Sequence, residues 1–170
     1  MKGLNPVLKG TPESILKGFL KRVLEESLVD FVMVPSAGPD ETFQWILVKD
    51  PTDLDRARPL PPVMSVQGAR ALASFTQSPS EGRILALMRP CEIRASIEIA
   101  KIQQIDLDGV ILMSMDCPGG LPLASHREDT SMEPDPSNPD SLRSLCGQCT
   151  EFSEAGDLFL ASWEQKHALV

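Results

Sequence analysis

RILALMRPCEIRASIEIAKIQQIDLDGVILMSMDCPGG, residues 83–120, is the stretch whose reading decides the fold. It opens and closes on short apolar runs, Arg83–Met88 and Val110–Met115. Runs of that length fit a buried strand or a buried helix equally well by periodicity, so their flanks arbitrate. Gly82 and Pro90 bracket the first run; Gly109 and Pro118-Gly119-Gly120 bracket the second. Both read as strands that are apolar on both faces, as in a parallel sheet covered on each side. Between them Ile93, Ile97 and Ala100 recur at helical spacing, opposite Arg94, Glu98 and Lys101, which predicts a helix over residues 92–103. The whole is a β-α-β unit. Neighbouring parallel strands bring their carboxyl ends to one edge, about 4.8 Å apart. Each strand is followed there by a cysteine, Cys91 or Cys117, and open α/β sheets place their chemistry at that edge.

On the amino-terminal side, Thr11-Pro12-Glu13 starts a helix: Thr11 is a good cap and Pro12 suits the first helical position. Ile15, Phe19, Val23 and Leu24 supply its apolar stripe, which ends near Ser27. Phe31–Pro35 and Phe43–Val48 read as strands, with a turn over Ser36–Asp40. Pro51–Pro62, rich in proline and charge, reads as an extended surface connection. Ser65 reads as the cap of a helix over Gln67–Thr76, with Ala69, Leu72 and Ala73 inward.

On the carboxyl-terminal side, Leu121–Asp140 holds four prolines and five acidic residues without periodicity. It reads as a long surface loop, and loops of that length are usually functional or disordered. It leads to LRSLCGQC at residues 142–149; Asp157–Ala161 reads as a last short strand. The expected architecture is a single α/β domain over residues 1–161, with a tail over 162–170. It has a small, mostly parallel sheet, flanking helices and an irregular loop (121–140) that leads to the CxxC.

A formal net charge of −8 makes nucleic acid a poor partner. No run approaches the roughly 18 apolar residues of a membrane span. The opening MKGLNPVLKG lacks the apolar centre of a secretion signal. The expected location is therefore the cytoplasm, where four cysteines point to metal or redox chemistry rather than disulfides. No glycine-rich phosphate loop and no Ser-His-Asp arrangement is visible, so no catalytic residue is assigned; His126, in the polar loop, reads as solvated.

The cysteines carry the chemistry. Cys146 and Cys149 form a CxxC, a spacing that lets two thiolates grip one metal centre, with Gly147 allowing the tight turn. Cys91 precedes a helix, whose positive dipole end is expected to lower its thiol pKa. Spacing leaves three readings open: unrelated buried cysteines, a structural zinc, whose ligands usually come as two close pairs, and an iron–sulfur cubane, for which dispersed thiolates are normal. Arg89 and Arg94 flank Cys91 and are placed to offset charge there; the duller reading of Arg94 is an ion pair with Glu98.

RPCEIRA (89–95), DCPGG (116–120) and LCGQC (145–149) together resemble the beta-subunit family of deazaflavin-reducing hydrogenases and formate dehydrogenases. That family's pattern is PC(E/Q)xxA after a strand, a second cysteine after the next strand, and then CxxC. VDFVMVP, LDRARPLPP and SVQGARALASFT extend the likeness to roughly residues 12–160. The resemblance implies one 4Fe–4S cluster held by Cys91, Cys117, Cys146 and Cys149, with FAD at or near a partner interface; Arg94, from its place near Cys91, is the expected cofactor-binding residue. No ferredoxin-like CxxCxxC segment precedes the shared region, and the chain ends at Val170, so the expectation is a shortened, one-cluster form. It would be a non-catalytic electron-transfer subunit of a larger complex (hydrogenase, formate dehydrogenase or heterodisulfide-reductase-like), with flavoprotein or iron–sulfur subunits as partners. A zinc-stapled structural or assembly subunit and a flavin-dependent oxidoreductase in its own right are the alternatives.

Overall fold

The computed structural model describes residues 10–39, 42–77, 82–153 and 156–160; the expected tail lies outside them. The helices are α1 (Pro12–Glu25), α2 (Gly68–Phe75), α3 (Pro90–Lys101), α4 (Leu123–Glu128) and α5 (Ser144–Gly147). The strands are β1 (Phe31–Ala37), β2 (Phe43–Val48), β3 (Ile84–Leu87), β4 (Val110–Met115) and β5 (Leu158–Leu160). They form one sheet in the order β2-β1-β3-β4-β5. β1 and β2 make an antiparallel hairpin, and the other three pairings are parallel, with Leu87 opposite Met113 and Met115 opposite Leu160. α3 thus connects adjacent parallel strands, as the central stretch predicts.

β3 is buried at every position, which its unbroken apolar run requires of a central strand. Strand alternation sends its residues to two separate cores. Leu85 and Leu87 join Val32, Val34, Met113 and Met115 beneath α1 on one face. Ile84 and Ala86 join Met33, Leu112 and Ile93 beneath α2 and α3 on the other. A third, smaller cluster of Phe43, Val63, Leu121 and Leu142 lies under the long loop. Among the described residues no helix is long and apolar enough to cross a membrane.

Several local expectations are corrected. The buried stripe of α1 is Leu16, Leu20, Val23 and Leu24, while Phe19 is 36% exposed. Both sets repeat at helical spacing, and packing against the sheet chose the leucines. β1 runs on to Ala37, because Ala37 still pairs with Phe43 across the hairpin. Pro51–Pro62 is not an extended connection: Asp50 caps a 3₁₀ turn over Pro51–Arg56, which drives Leu54 and Ala57 into the core. Gln67, not Ser65, caps α2, its side chain accepting from the Arg70 amide. The loop after Leu121 contains α4 and a 3₁₀ turn at Pro139–Ser141, and it is stitched by Asp129–Ser131 and Asp135–Ser137 turns.

Candidate metal centre

Cys91 sits in the first turn of α3, after Arg89 as N-cap and Pro90 as the first helical residue. Pro90 has no amide to lose there, so the helix starts immediately beyond β3. Glu92 completes the turn from inside. Its buried carboxylate accepts the Arg89 amide at 2.9 Å and the Gly68 amide at 2.7 Å, so one side chain ties down the starts of both α3 and α2. Desolvation raises its pKa, against the hydrogen bonds and the Arg89 charge. A Glu three residues after an N-cap is a sequence signal for this role.

Cys117 follows β4, and its amide donates to the Phe152 carbonyl at 2.9 Å. Beyond it, the Gly120 carbonyl accepts the Arg143 amide at 2.8 Å, which seats the start of α5 against the Cys117 turn. Cys146 lies within α5, and the Cys149 amide donates back to the Cys146 carbonyl at 3.1 Å. Gly147 is needed for space rather than for a left-handed backbone: a Cβ there would lie 2.7 Å from the Pro139 carbonyl oxygen.

Cys91, Cys117 and Cys146 come from three separate elements, and Cys146 lies close enough to act on the protonation of both Cys91 and Cys117. Cys149 stands at the exposed end of the next turn. Cys91 retains solvent access, yet its thiol is not lowered as the dipole argument expects. Desolvation, the Glu92 carboxylate and the Cys117 thiol push it up to about 11, against the opposing charge of Arg89. Desolvation also raises the Cys117 thiol, while Arg89 and the Gly119 amide favour its thiolate. Among the described residues no group of three or more His, Cys, Asp or Glu side chains is arranged as a cage for a metal ion. The donor set itself, soft sulfurs with cationic and amide groups around them, fits a thiolate-bound centre.

Arg94 does not pair with Glu98, which binds Lys101 instead; it reaches across to Glu151, just past the CxxC. His126 is not solvated. It is 2% exposed against the Phe43 ring, and neither ring nitrogen has a hydrogen-bond partner among the described residues. α4 carries it inward because Leu121 anchors the loop in the third cluster.

No protein-family model matches the chain. It is 26% identical over 116 residues to F420-dependent formate dehydrogenase 1 subunit beta of Methanococcus maripaludis, a match over 67% of this chain. The matched region spans 29% of the length of that relative. The fold is similar, at a TM-score of 0.51 and 21% identity, to a chain of the F420-reducing NiFe hydrogenase complex from Methanosarcina barkeri, over 68% of this chain and 42% of that one. By sequence and by fold together, the chain resembles the beta-subunit family of deazaflavin-linked formate dehydrogenases and hydrogenases.

Proposed function

We propose that this chain is an electron-transfer subunit that holds one 4Fe–4S cluster through Cys91, Cys117, Cys146 and Cys149, within a larger cytoplasmic redox complex. The observation that carries the reading is the convergence of three thiols from α3, the end of β4 and α5, with the fourth in the turn that follows. Dispersed thiolates are the usual ligands of such clusters, and a structural zinc more often takes two close pairs. The bound cluster supplies one-electron transfer. The chain's own residues supply the rest. Glu92 fixes the turn that presents Cys91, the Gly119 amide favours the Cys117 thiolate, and Arg94, paired with Glu151 just past the CxxC, would stand beside the cofactor.

The relative named as a formate dehydrogenase beta subunit supports a place beside flavoprotein or iron–sulfur partners, with FAD at or near the interface. Electrons enter and leave through those partners, and no residue of this chain is assigned to bond-making chemistry. The test is anaerobic purification that keeps co-purifying subunits, followed by iron, sulfide, zinc and flavin analysis. About four irons and four sulfides per chain are expected. Stoichiometric zinc without iron overturns the reading in favour of a structural site.

A further inference from the structure

Arg89 joins the segments that meet at the cysteines. It lies two residues before Cys91, and its amide is held by Glu92. Its guanidinium donates through Nη1 to the Gly119 carbonyl at 3.1 Å, two residues past Cys117, and through Nη2 to the Pro61 carbonyl at 2.5 Å. Gly120 makes room for that seat, since a Cβ there would lie 2.7 Å from Nη1. The planar fork of arginine suits two carbonyls at once, which an ammonium on a flexible stem does not. Among the described residues no carboxylate lies within ion-pair distance of this guanidinium. Its charge is held in place by the two carbonyls, with the Glu92 carboxylate near enough to feel it.

Resting on the cluster reading above, we propose that Arg89 is a positioning residue whose pinned positive charge, between the Cys91 and Cys117 turns, raises the reduction potential of the centre. The physical basis is Coulombic. Accepting one electron adds one negative charge and makes or breaks no bond, so a fixed cation nearby favours the reduced state over the oxidised one.

The experiment uses the anaerobically purified protein with its co-purifying subunits, as wild type, Arg89→Gln and Arg89→Lys. Iron and sulfide are assayed first. The midpoint potential is then read by electron paramagnetic resonance during a mediated titration with dithionite as reductant. The expected result is equal iron content, a lower midpoint in Arg89→Gln, and a midpoint near wild type in Arg89→Lys, which keeps the charge but loses the fork. A fully loaded Arg89→Gln with an unchanged midpoint overturns the inference. So does an Arg89→Lys midpoint as low as that of Arg89→Gln, which marks Arg89 as a clamp only. If Arg89→Gln does not fold, Arg89→Met takes its place: a lower midpoint than in Arg89→Lys supports the charge, and an unchanged one overturns it. Zinc in place of iron in the wild type overturns the cluster reading itself, and metal analysis identifies that case before any titration.

Discussion

Arg94 on α3 donates to the main-chain carbonyl of Glu151, two residues past Cys149, and also stands 3.6 Å from the Glu151 carboxylate. The next two residues are held as well. Phe152 accepts the Cys117 amide, and Ser153 hydrogen-bonds the buried Asp116. Residues 151–153 therefore form a strap across the ends of α3 and β4, and the strap keeps the CxxC beside Cys91 and Cys117.

Arg94→Ala should release one end of that strap. The ion pair is partly exposed, so the global cost should stay below about 1 kcal/mol. Amide hydrogen exchange over residues 144–153 should nevertheless rise several-fold while the sheet stays protected. Unchanged exchange in that segment would show that the Cys117–Phe152 and Ser153–Asp116 bonds suffice without Arg94.

Ile93 and Ile97 share the sequence stripe of α3, yet Ile93 is fully buried and Ile97 is 38% exposed. Ile93→Ala should cost about 2–5 kcal/mol, since it empties a packed site. Ile97→Ala should cost less than about 1 kcal/mol. Urea unfolding of the two variants checks the ranking, and equal costs would contradict the burial seen here.

Glu92→Ala should cost about 1–3 kcal/mol, because it strands the Gly68 and Arg89 amides in the interior. Its effect should appear in α2 as much as in α3. Hydrogen exchange confined to α3 in this variant would refute the shared anchor.

Asp129 and Asp135 accept hydrogen bonds from Ser131 and Ser137, which hold both carboxyls below the ordinary value of 3.8. A carboxylate with a lowered folded pKa contributes order above its unfolded value and loses it as pH falls through the folded one. The 129–137 turns should thus persist at neutral pH and open below pH 3.8. Nuclear magnetic resonance titration should find both groups below that value, and Ser137→Ala should return Asp135 toward it. An unshifted Asp135 in the wild type would remove the stitch.

Cys117→Ser should lower electron transfer through the assembled complex far more than it lowers assembly. Leu145, beside Cys146, is 78% exposed, so the surface around the cysteines is open for a partner. Full electron flux in a complex verified to lack the cluster would refute this mechanism.

The β-α-β unit, the hairpin of β1 and β2 and the cap of α1 at Thr11 are legible in the sequence because each rests on local signals. Those signals are apolar runs with Gly and Pro at their ends, and a cap beside a proline. That Cys91 follows β3 at a helix start and that Cys117 follows β4 are legible for the same reason. Tertiary structure alone decided the rest. Leu16 and Leu20 rather than Ile15 and Phe19 face the sheet, because two stripes one residue apart are equally periodic until a partner surface selects one. His126 is buried because Leu121 and Leu142, 21 residues apart, fold the loop over Phe43. Cys91 sits at a helix start, as the sequence says, but burial, the Glu92 carboxylate and two thiols distant in sequence raise its pKa, and together they outweigh the helix end and the Arg89 charge. Local sequence encodes backbone direction and which residues want burial; which charges meet at one edge depends on contacts between segments tens of residues apart.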